Sequence, residues 1–409
     1  FLPQQNKRLA GSEVPEEESI TATGKHVIVI GGGIHGVSLA FQLAKRGLQP
    51  LVLERHFIAA EATGYSSGLV RMHYDLELES RLAWESFHIF QNWADEVGGD
   101  CGFTSTGFLK ILAPEYSAQL RANVAMQQEI GIPTEALTAA EVKELAPYLV
   151  TDDFEVAAYE PYSGYADPSA TAMAFMQAAR QKGARLVQDC LVTGILTEGG
   201  RVTGVQTTQG DFYAPVVVNA AGIGAKEVGR MVGLDVPLDI WKHDTMFVQR
   251  PSSLGESHLT VIDDAKAMYF RPETGGLTLV GLEDGNPVGQ SLADFADESQ
   301  AAFVDRAIDR ICQRIPQMEY GRLHSVHGGY DGLTPDQRAI LGQAGPDGFY
   351  LACGFSGTGF KVAPAVGICL AELIVNGRAR TVDIAPFSLQ RFADGRQLVG
   401  EHAYENIWR

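Results

Sequence analysis

Three glycines and one glutamate near the start of the chain have the types and spacing that bind a dinucleotide. Gly31, Gly33 and Gly36 follow the pattern G-x-G-x-x-G, and Glu54 comes later in the same unit. The first glycine allows a tight turn, the second lets a pyrophosphate approach the backbone, and the third lets a helix pack against a strand. An acidic side chain at the position of Glu54 accepts hydrogen bonds from a ribose and disfavours a 2′-phosphate, hence NADP. These residues predict a site for FAD or NAD.

Strand and helix patterns surround this motif. Residues 27–30 and 48–53 predict two buried strands, and residues 34–46 carry apolar side chains at helical spacing. A helix that begins beside the glycines offers unpaired N–H groups and a partial positive charge to phosphates. The alternative is a glycine-rich turn in another α/β protein, and the motif alone does not separate FAD from NAD.

The end of the chain carries a second glycine-rich turn. Residues 349–351 predict a strand, residues 354–359 are rich in glycine, and residues 360–376 predict a helix that Gly377 ends. The positive end of such a helix suits the N1–C2=O edge of a reduced flavin, where negative charge develops. A loop with capping glycines is the alternative. The two motifs together favour a flavin.

The composition limits the class of protein. The chain has 409 residues, 45% of them hydrophobic and 20% charged, which is ordinary for a globular protein with a large core. The net charge of −18 disfavours nucleic acid and anionic membranes as partners. The sequence has no uninterrupted apolar run of the ~18 residues that a membrane span needs, so we expect no such span.

The cysteines and histidines suggest neither a disulfide framework nor a metal site. The five cysteines are scattered and contain no C-x-x-C pair, so we expect a reducing compartment and a cytoplasmic location. The histidines lack metal-ligand spacing, so we expect no metal. A structural role is the default for His35, His73, His243, His324 and His327.

Dinucleotide-type elements recur at the start, middle and end of the chain. In the middle, Asp167 and Pro168 predict the start of a helix, short strands follow over residues 185–213, and residues 216–222 predict a buried strand. Residues 238–330 contain strand-like runs with one clear helix. We predict an α/β (α+β) fold in which a Rossmann-like domain is interleaved with a domain built on a mixed β-sheet.

Six blocks of sequence together resemble the D-amino acid oxidase (DAO) superfamily of FAD-dependent oxidoreductases, in its sarcosine oxidase and glycine oxidase branch. In chain order, the blocks are residues 31–36 with Glu54, 63–71, 218–222, 269–273, 333–336 and 354–364. The resemblance extends from residue 26 to about 392. It implies an FAD domain of the glutathione-reductase type and a substrate domain with a large mixed sheet.

The resemblance also implies a domain division. The FAD-binding domain is expected at residues 25–75, 160–235 and 331–392, and the substrate-binding domain at residues 76–159 and 236–330. We expect residues 1–24, which are polar and acidic, to form a flexible leader and residues 393–409 to form a C-terminal tail.

The resemblance implies a set of FAD contacts that combines both glycine-rich turns with the loop at 63–68. FAD is expected to bind noncovalently. The predicted cofactor-binding residues are Gly31, Gly33, Ile34, His35, Gly36, Glu54, Arg55, Thr63, Ser66, Ser67, Gly68, Val192, Ala221, Gly222, Gly354, Gly357, Thr358, Gly359, Phe360 and Lys361.

Five residues are candidates to act on the substrate, and all of them except Arg271 are predicted as catalytic. Arg71 and Lys361 match the two cations that hold the substrate carboxylate in sarcosine oxidase-like enzymes, and an arginine suits bidentate binding of a carboxylate. Tyr269 matches an active-site tyrosine, and Tyr330 is a weaker candidate, as is Arg271. The alternatives are a surface ion pair for Arg71, a solvated helix position for Lys361 and a core aromatic for Tyr269.

The sequence departs from the family pattern in two places. Relatives with covalent flavin use a cysteine before the Thr-Pro-Asp block or a histidine in the early loop, whereas this chain has residues 327–332 (HGGYDG) and Tyr65-Ser66. Monomeric sarcosine oxidases use a lysine to promote the reaction with oxygen, and our alignment places Thr278 or a neighbour there. The first departure predicts noncovalent FAD, and the second leaves a dehydrogenase as an option.

The resulting prediction is an FAD-dependent oxidase or dehydrogenase. It would oxidise the C–N bond of a small or N-methylated amino acid to an imine by hydride transfer to flavin N5, with no side-chain base. The expected partners are a carboxylate-bearing amine and an electron acceptor that is O₂ or another carrier, with a partner subunit as a further option. The alternatives are oxidation of a C–OH bond in a hydroxy acid or glycerophosphate, the flavin subunit of a larger amine dehydrogenase, and a nicotinamide dehydrogenase.

Overall fold

The computed structural model describes residues 25–295 and 300–404, so the predicted leader and the last residues of the predicted tail lie outside the described part. The strands within this part are β1 His26–Ile30, β2 Gln49–Leu53, β3 Leu69–Val70, β4 Thr104–Ser105, β5 Phe108–Ile111, β6 Glu135–Thr138, β7 Val156–Glu160, β8 Gly164–Tyr165, β9 Arg185–Val187, β10 Val192–Glu198, β11 Arg201–Thr207, β12 Gly210–Tyr213, β13 Val216–Asn219, β14 Asp239–Gln249, β15 Thr260–Asp263, β16 Met268–Glu273, β17 Leu277–Leu282, β18 Val288–Gly289, β19 Arg322–Leu333, β20 Ile340–Gln343 and β21 Phe349–Cys353. The helices are α1 Ile34–Lys45, α2 Glu77–Gln91, α3 Trp93–Glu96, α4 Ser117–Ile130, α5 Ala139–Leu145, α6 Pro168–Gln181, α7 Ala225–Arg230, α8 Ala301–Arg314, α9 Gly359–Asn376 and α10 Gln390–Ala393.

A six-stranded sheet forms the dinucleotide half of the molecule. Its order is β20-β21-β13-β1-β2-β9, and its pairs are parallel except for the antiparallel edge strand β20. Val27 and Val29 belong to one buried cluster and Ile28 and Ile30 to another, so β1 is covered on both faces. Burial on both faces explains the unbroken β-branched run in the sequence.

Different elements cover the two faces of this sheet. Helices α1, α6 and α9 pack together with α2 on one face. The antiparallel meander β10-β11-β12 and helix α7 cover the other. The carboxyl ends of β1, β13 and β21 lead into loops at one edge of the sheet, which is where open α/β sheets bind their ligands.

A nine-stranded mixed sheet forms the other half. Its order is β18-β14-β17-β16-β15-β5-β7-β6, with β19 also paired to β14. One face packs against α5 and α8 through a buried cluster that includes Leu109, Phe270, Val280 and Phe303. The opposite face carries Tyr269 and Ile262, which line a cavity between the two halves of the molecule.

The predicted fold class is confirmed, and so is the start of helix α6. Asp167 accepts a hydrogen bond from the Ala170 N–H at 2.8 Å, with Pro168 as the first helical residue. Helices α2 and α3 are separate, because Asn92 between them leaves helical geometry and its side chain donates to the His88 carbonyl at 2.9 Å.

One expectation needs adjustment. Helix α2 packs on α9 beside the six-stranded sheet, although its residues fall in the segment assigned to the substrate domain. Helix α9 has 18 residues and a mean hydropathy of 1.5, enough by length and composition to cross a membrane, although Lys361 and Glu372 interrupt its apolar run. That window is 61% buried inside the protein, because α1 and α2 cover α9.

Candidate active site

The first glycine-rich turn has the geometry that its sequence predicts. Gly31 has a φ of +110°, and a Cβ there would lie 2.4 Å from the Ala220 carbonyl oxygen. A Cβ on Gly36 would lie 2.0 Å from the Gly31 carbonyl oxygen, so α1 packs directly on the turn. Gly33 lies on the cavity wall. The backbone is therefore exposed to a ligand where a pyrophosphate is expected.

Glu54 lies at the end of β2, beside this turn. Its Oε2 accepts a hydrogen bond from the Gly32 N–H at 2.7 Å, and its Oε1 accepts one from the His56 N–H at 2.8 Å. Each carboxylate oxygen keeps capacity for a second hydrogen bond. The carboxylate is thus fixed next to the glycines in a position to accept bonds from ribose hydroxyls.

The loop at 63–68 follows the first unit and closes over the start of α1. The Thr63 hydroxyl oxygen accepts a hydrogen bond from the Ile34 N–H at 3.0 Å and so caps α1 from a distant part of the chain. Thr63, Ser66 and Ser67 all line the cavity. Gly68 is not on the wall; its φ is +69° and it packs against the Ala166 carbonyl.

The cavity occupies about 1230 Å³, part of it open to solvent. Its wall combines both glycine-rich turns, the early loop and the free face of the nine-stranded sheet. The predicted site residues on the wall are Gly33, Ile34, His35, Thr63, Ser66, Ser67, Arg71, Gly222, Tyr269, Tyr330, Gly354, Gly357, Gly359, Phe360 and Lys361.

The second glycine-rich turn opens helix α9 onto this cavity. Asp331 accepts hydrogen bonds from the Gly357 N–H at 2.7 Å and from the Gly332 N–H at 2.8 Å. The His35 ring stacks on Phe355, with centroids 3.4 Å apart, and burial lowers the pKa of His35 to about 3. His35 is therefore a neutral ring where the two turns meet.

Arg71 and Lys361 converge on one aromatic ring. The Arg71 Cζ lies 4.2 Å and the Lys361 Nζ 5.9 Å from the centroid of Tyr74. Arg71 follows β3, and the carboxylate of Glu160 accepts the N–H of the next residue, Met72, at 3.0 Å. Both cations are buried, and neither forms an ion pair within the described residues. Burial, followed by the positive charge of Arg71, lowers the pKa of Lys361 well below its usual range.

Tyr269 and His243 form a hydrogen-bonded pair on the opposite wall. The Tyr269 hydroxyl lies 2.6 Å from the His243 Nε2. Burial lowers the pKa of His243 to about 4 and raises that of Tyr269 above its ordinary value. Both rings are therefore neutral at neutral pH. A core position was the alternative for Tyr269, but the structure brings its ring to the cavity wall.

Tyr330 lies on the wall, and its ring also packs against Phe295 at 5.3 Å, so its role toward the substrate stays a prediction. Two other residues lie elsewhere. Arg271 is paired with Glu273 at 2.8 Å and lies against Tyr165, outside this cavity. Thr278 is buried with its hydroxyl 2.8 Å from the His258 Nε2, also away from the wall.

The remaining predicted cofactor residues support the site from outside the cavity wall. Arg55 pairs with Glu61 at 2.9 Å. Val192 is buried in β10, and the Thr358 hydroxyl donates to the Phe355 carbonyl at 2.7 Å. Ala221 follows β13, where its N–H donates to the Asn219 side chain at 3.3 Å. Their roles toward a cofactor stay predictions.

Sequence reasoning did not select three polar residues on the wall, namely His243, Trp241 and Glu283. His243 and Trp241 alternate on β14, and Glu283 immediately follows β17. The only signal in the sequence was the period-two alternation along each strand. It places these residues on the same face as Tyr269 only when the strand register is known.

The site fits FAD on its own geometry. Gly33 lies on the cavity wall at the start of α1, Glu54 is fixed beside the same turn, and α9 begins on the same wall at Gly359. FAD has an adenosine, a pyrophosphate and a flavin in that order. The sequence pattern of the DAO family, described as FAD dependent oxidoreductase, matches residues 26–373.

The chain belongs to the DAO family of FAD-dependent oxidoreductases. The predicted resemblance and cofactor are thereby confirmed, and the nicotinamide alternative is set aside. Human mitochondrial sarcosine dehydrogenase is 30% identical over 401 residues, which cover 93% of this chain and 43% of that protein. The sarcosine oxidase subunit beta of Arthrobacter sp. is 27% identical over 391 residues, 92% of this chain and 93% of that subunit.

The fold of this chain is similar to the solved structure of L-proline dehydrogenase from P. horikoshii. It superposes with a TM-score of 0.85 at 28% identity, over 92% of this chain and 100% of that chain. The chain spans less than half the length of the sarcosine dehydrogenases that it matches and nearly the full length of the bacterial beta subunit.

Proposed function

We propose that this chain oxidises the C–N bond of a small or N-methylated amino acid. The observation that carries the proposal is the pair of cations Arg71 and Lys361, buried on one wall of the cavity against Tyr74. Burying a positive charge without a counter-ion is costly, and burial accordingly lowers the pKa of Lys361. The carboxylate of an amino acid would supply that counter-ion, and the guanidinium would hold it in a bidentate geometry.

The named relatives support this class of substrate. They are a sarcosine dehydrogenase, a sarcosine oxidase subunit and an L-proline dehydrogenase. Sarcosine and proline are both small α-amino acids with a secondary amine. A molecule of that size leaves its amine within a few ångströms of its carboxylate, so one short cavity accommodates both groups.

The chain's residues would position the substrate. When bound, FAD supplies the hydride acceptor for oxidation of the C–N bond. Arg71 and Lys361 would hold the carboxylate and thereby restrict the position of the α-carbon. Tyr269 and His243 would close the opposite side with two neutral rings and limit access of water.

Other parts of the proposal concern the flavin link and the electron acceptor. We propose noncovalent FAD, because burial raises the pKa of the wall residue Cys353 to about 12 and leaves its thiol unreactive.

Among the described wall residues, Lys361 is the one lysine, and the proposed carboxylate occupies it. An acceptor other than O₂, reached directly or through a partner subunit, is therefore part of the proposal, as is a cytoplasmic location.

An anaerobic absorbance titration tests the proposal. Purified protein with bound FAD is titrated with sarcosine, glycine, proline and short N-methyl amino acids. We expect one of them to bleach the flavin band near its oxidised maximum, and sarcosinamide, which lacks the carboxylate, to bleach it far less. Air is then admitted, and slow recovery of the band indicates a carrier other than O₂.

The competing reaction is oxidation of a C–OH bond. A flavin that stays oxidised with every amino acid but bleaches with a hydroxy acid or glycerophosphate would contradict the C–N proposal. Native mass spectrometry of the active species then tests the partner: activity in a lone monomer argues against an obligate second subunit.

A further inference from the structure

Glu283 is an acidic residue on the wall of the cavity. Strand register places Lys110, Ile262, Tyr269 and Gly281 in one row across four strands of the nine-stranded sheet. Glu283 lies two residues beyond Gly281, so it belongs to the same face of the sheet one row further on. This is the face that lines the cavity.

The ring of Tyr269 lies directly over Gly281. A Cβ on Gly281 would be 2.3 Å from the Tyr269 Cζ, so any larger residue would displace the ring. The backbone of Glu283 is fixed beside it by a hydrogen bond from its N–H to the Ala267 carbonyl at 2.9 Å. The Glu283 side chain therefore reaches the cavity next to the Tyr269 phenol.

The charged groups that face Glu283 come from three neighbouring elements. Lys110 on β5 forms an ion pair with Asp264 at 2.6 Å, and both side chains are almost fully buried. Burial, followed by the negative charge of Asp264, raises the pKa of Glu283 well above its usual range, while Lys110 and Arg71 act in the opposite direction. Burial and the nearby Asp264 therefore favour the neutral form of the Glu283 carboxyl group, and Lys110 is the cation paired with Asp264.

Two neighbouring polar residues of the wall already have hydrogen-bond partners. Both carboxylate oxygens of Asp331 accept a backbone N–H group, and the Tyr269 hydroxyl is bonded to His243. Lys361 faces the proposed carboxylate. The Glu283 carboxyl group accepts no backbone N–H in the described part of the chain, so it can accept a hydrogen bond from a ligand.

We propose that Glu283 accepts a hydrogen bond from the N–H of the substrate amine while Arg71 and Lys361 hold its carboxylate. The reactive neutral form of a primary or secondary amine has such an N–H, whereas a neutral tertiary amine has none. Glu283 therefore selects primary and secondary amino acids over N,N-dialkylated ones. This inference rests on the proposed function and specifies the substrate class of the same site.

The test compares sarcosine with N,N-dimethylglycine, which differ by one methyl group on nitrogen. Glu283→Leu removes the acceptor, and we expect kcat/KM for sarcosine to fall about 10- to 100-fold, with that for N,N-dimethylglycine unchanged within about threefold. Glu283→Gln keeps a carbonyl acceptor. We expect this variant to retain the wild-type ratio of kcat/KM for sarcosine to kcat/KM for N,N-dimethylglycine within about threefold. Dissociation constants of both ligands, from quenching of tryptophan fluorescence, provide a readout independent of turnover.

Asp284→Asn is the matched control. Asp284 is the next residue, but it is half-exposed and pairs with Arg306 and Arg310 on α8, away from the cavity. Removing the Asp284 carboxylate should leave the preference for sarcosine over N,N-dimethylglycine unchanged. FAD content is measured for every variant, and Glu283→Met replaces Glu283→Leu if the latter loses the cofactor.

The outcomes separate this inference from the proposed function. If the wild-type protein oxidises no amino acid, the proposed function fails first. Another outcome is that the wild-type protein oxidises sarcosine while Glu283→Leu and Glu283→Met lower kcat/KM for both substrates equally, or for neither. In that case the inference about Glu283 is overturned and the proposed function stands. A tenfold or larger loss of preference in Glu283→Gln also overturns it, because an amide carbonyl still accepts the bond.

Discussion

The hydroxyl of Tyr269 and the Nε2 of His243 are 2.6 Å apart on the cavity wall, where Tyr269 is buried and His243 is half-buried. Because each group is the other's hydrogen-bond partner, removing one leaves a buried polar atom unsatisfied. We expect Tyr269→Phe and His243→Asn each to lower kcat/KM about tenfold, and the double variant to lose little more than either single one. Exposed Tyr213→Phe is the control, and losses that simply multiply in the double variant would contradict a coupled pair.

Arg71 should determine the recognition of the substrate carboxylate. A charge-assisted hydrogen bond contributes about 1.5–3 kcal/mol, so Arg71→Met should raise KM for the amino acid about 10- to 150-fold. The same variant should hardly change the already weak response to the corresponding amide. Steady-state kinetics check this, with Arg81→Met on the exposed face of α2 as control. An equal rise in KM for acid and amide would place Arg71 outside the carboxylate site.

Glu54 should strengthen FAD binding without affecting the substrate. Its carboxylate is fixed by the N–H groups of Gly32 and His56 and faces the expected ribose position. Glu54→Gln replaces a charged acceptor with a neutral one, and we expect about tenfold weaker FAD binding. The dissociation constant is measured by adding FAD to apoprotein and following flavin fluorescence. Glu77→Gln on the surface of α2 is the control, and an unchanged affinity would exclude a ribose contact.

The sequence predicted the parts of the site that depend on local geometry. The Gly31 turn, helix α1 and the cap formed by Asp167 each involve residues that are close in the chain, so a short pattern carries the whole interaction. The predicted position of Lys361 at the start of α9 was correct for the same reason.

The substrate wall depends on strand register, which a single sequence does not contain. His243 and Tyr269 lie on β14 and β16, and Glu283 immediately follows β17, so only the pairing of these strands places them on one face. The contact of the Tyr330 ring with Phe295 likewise depends on the folded arrangement and not on a local pattern.

The buried His258 should make the protein less stable in acid. Burial lowers its pKa to about 4, despite its hydrogen bond to the Leu259 carbonyl, and an unfolded histidine has a pKa of about 6.5. Between these values the unfolded state binds a proton that the folded state does not, so stability falls as the pH falls, by about 1.4 kcal/mol per pH unit. Urea unfolding between pH 7 and 5 should show a shallower slope in His258→Gln. An identical slope would mean that His258 titrates normally in the folded protein.

Arg338 should be a major contributor to stability through its position between two carboxylates. Its side chain is fully buried, its guanidinium lies 2.7 Å from Asp75, and it also pairs with Glu79 on α2. Removing the cation from such a group leaves buried negative charge uncompensated, which typically costs about 3–5 kcal/mol. We therefore expect Arg338→Met to lower the free energy of unfolding by about that amount.

The triple variant Arg338→Met, Asp75→Asn, Glu79→Gln removes the charges together and should recover much of the loss. Arg396→Met, which breaks an exposed pair with Asp394, is the control and should leave the urea midpoint unchanged. If the triple variant were less stable than Arg338→Met alone, packing around the arginine rather than its charge would account for the loss.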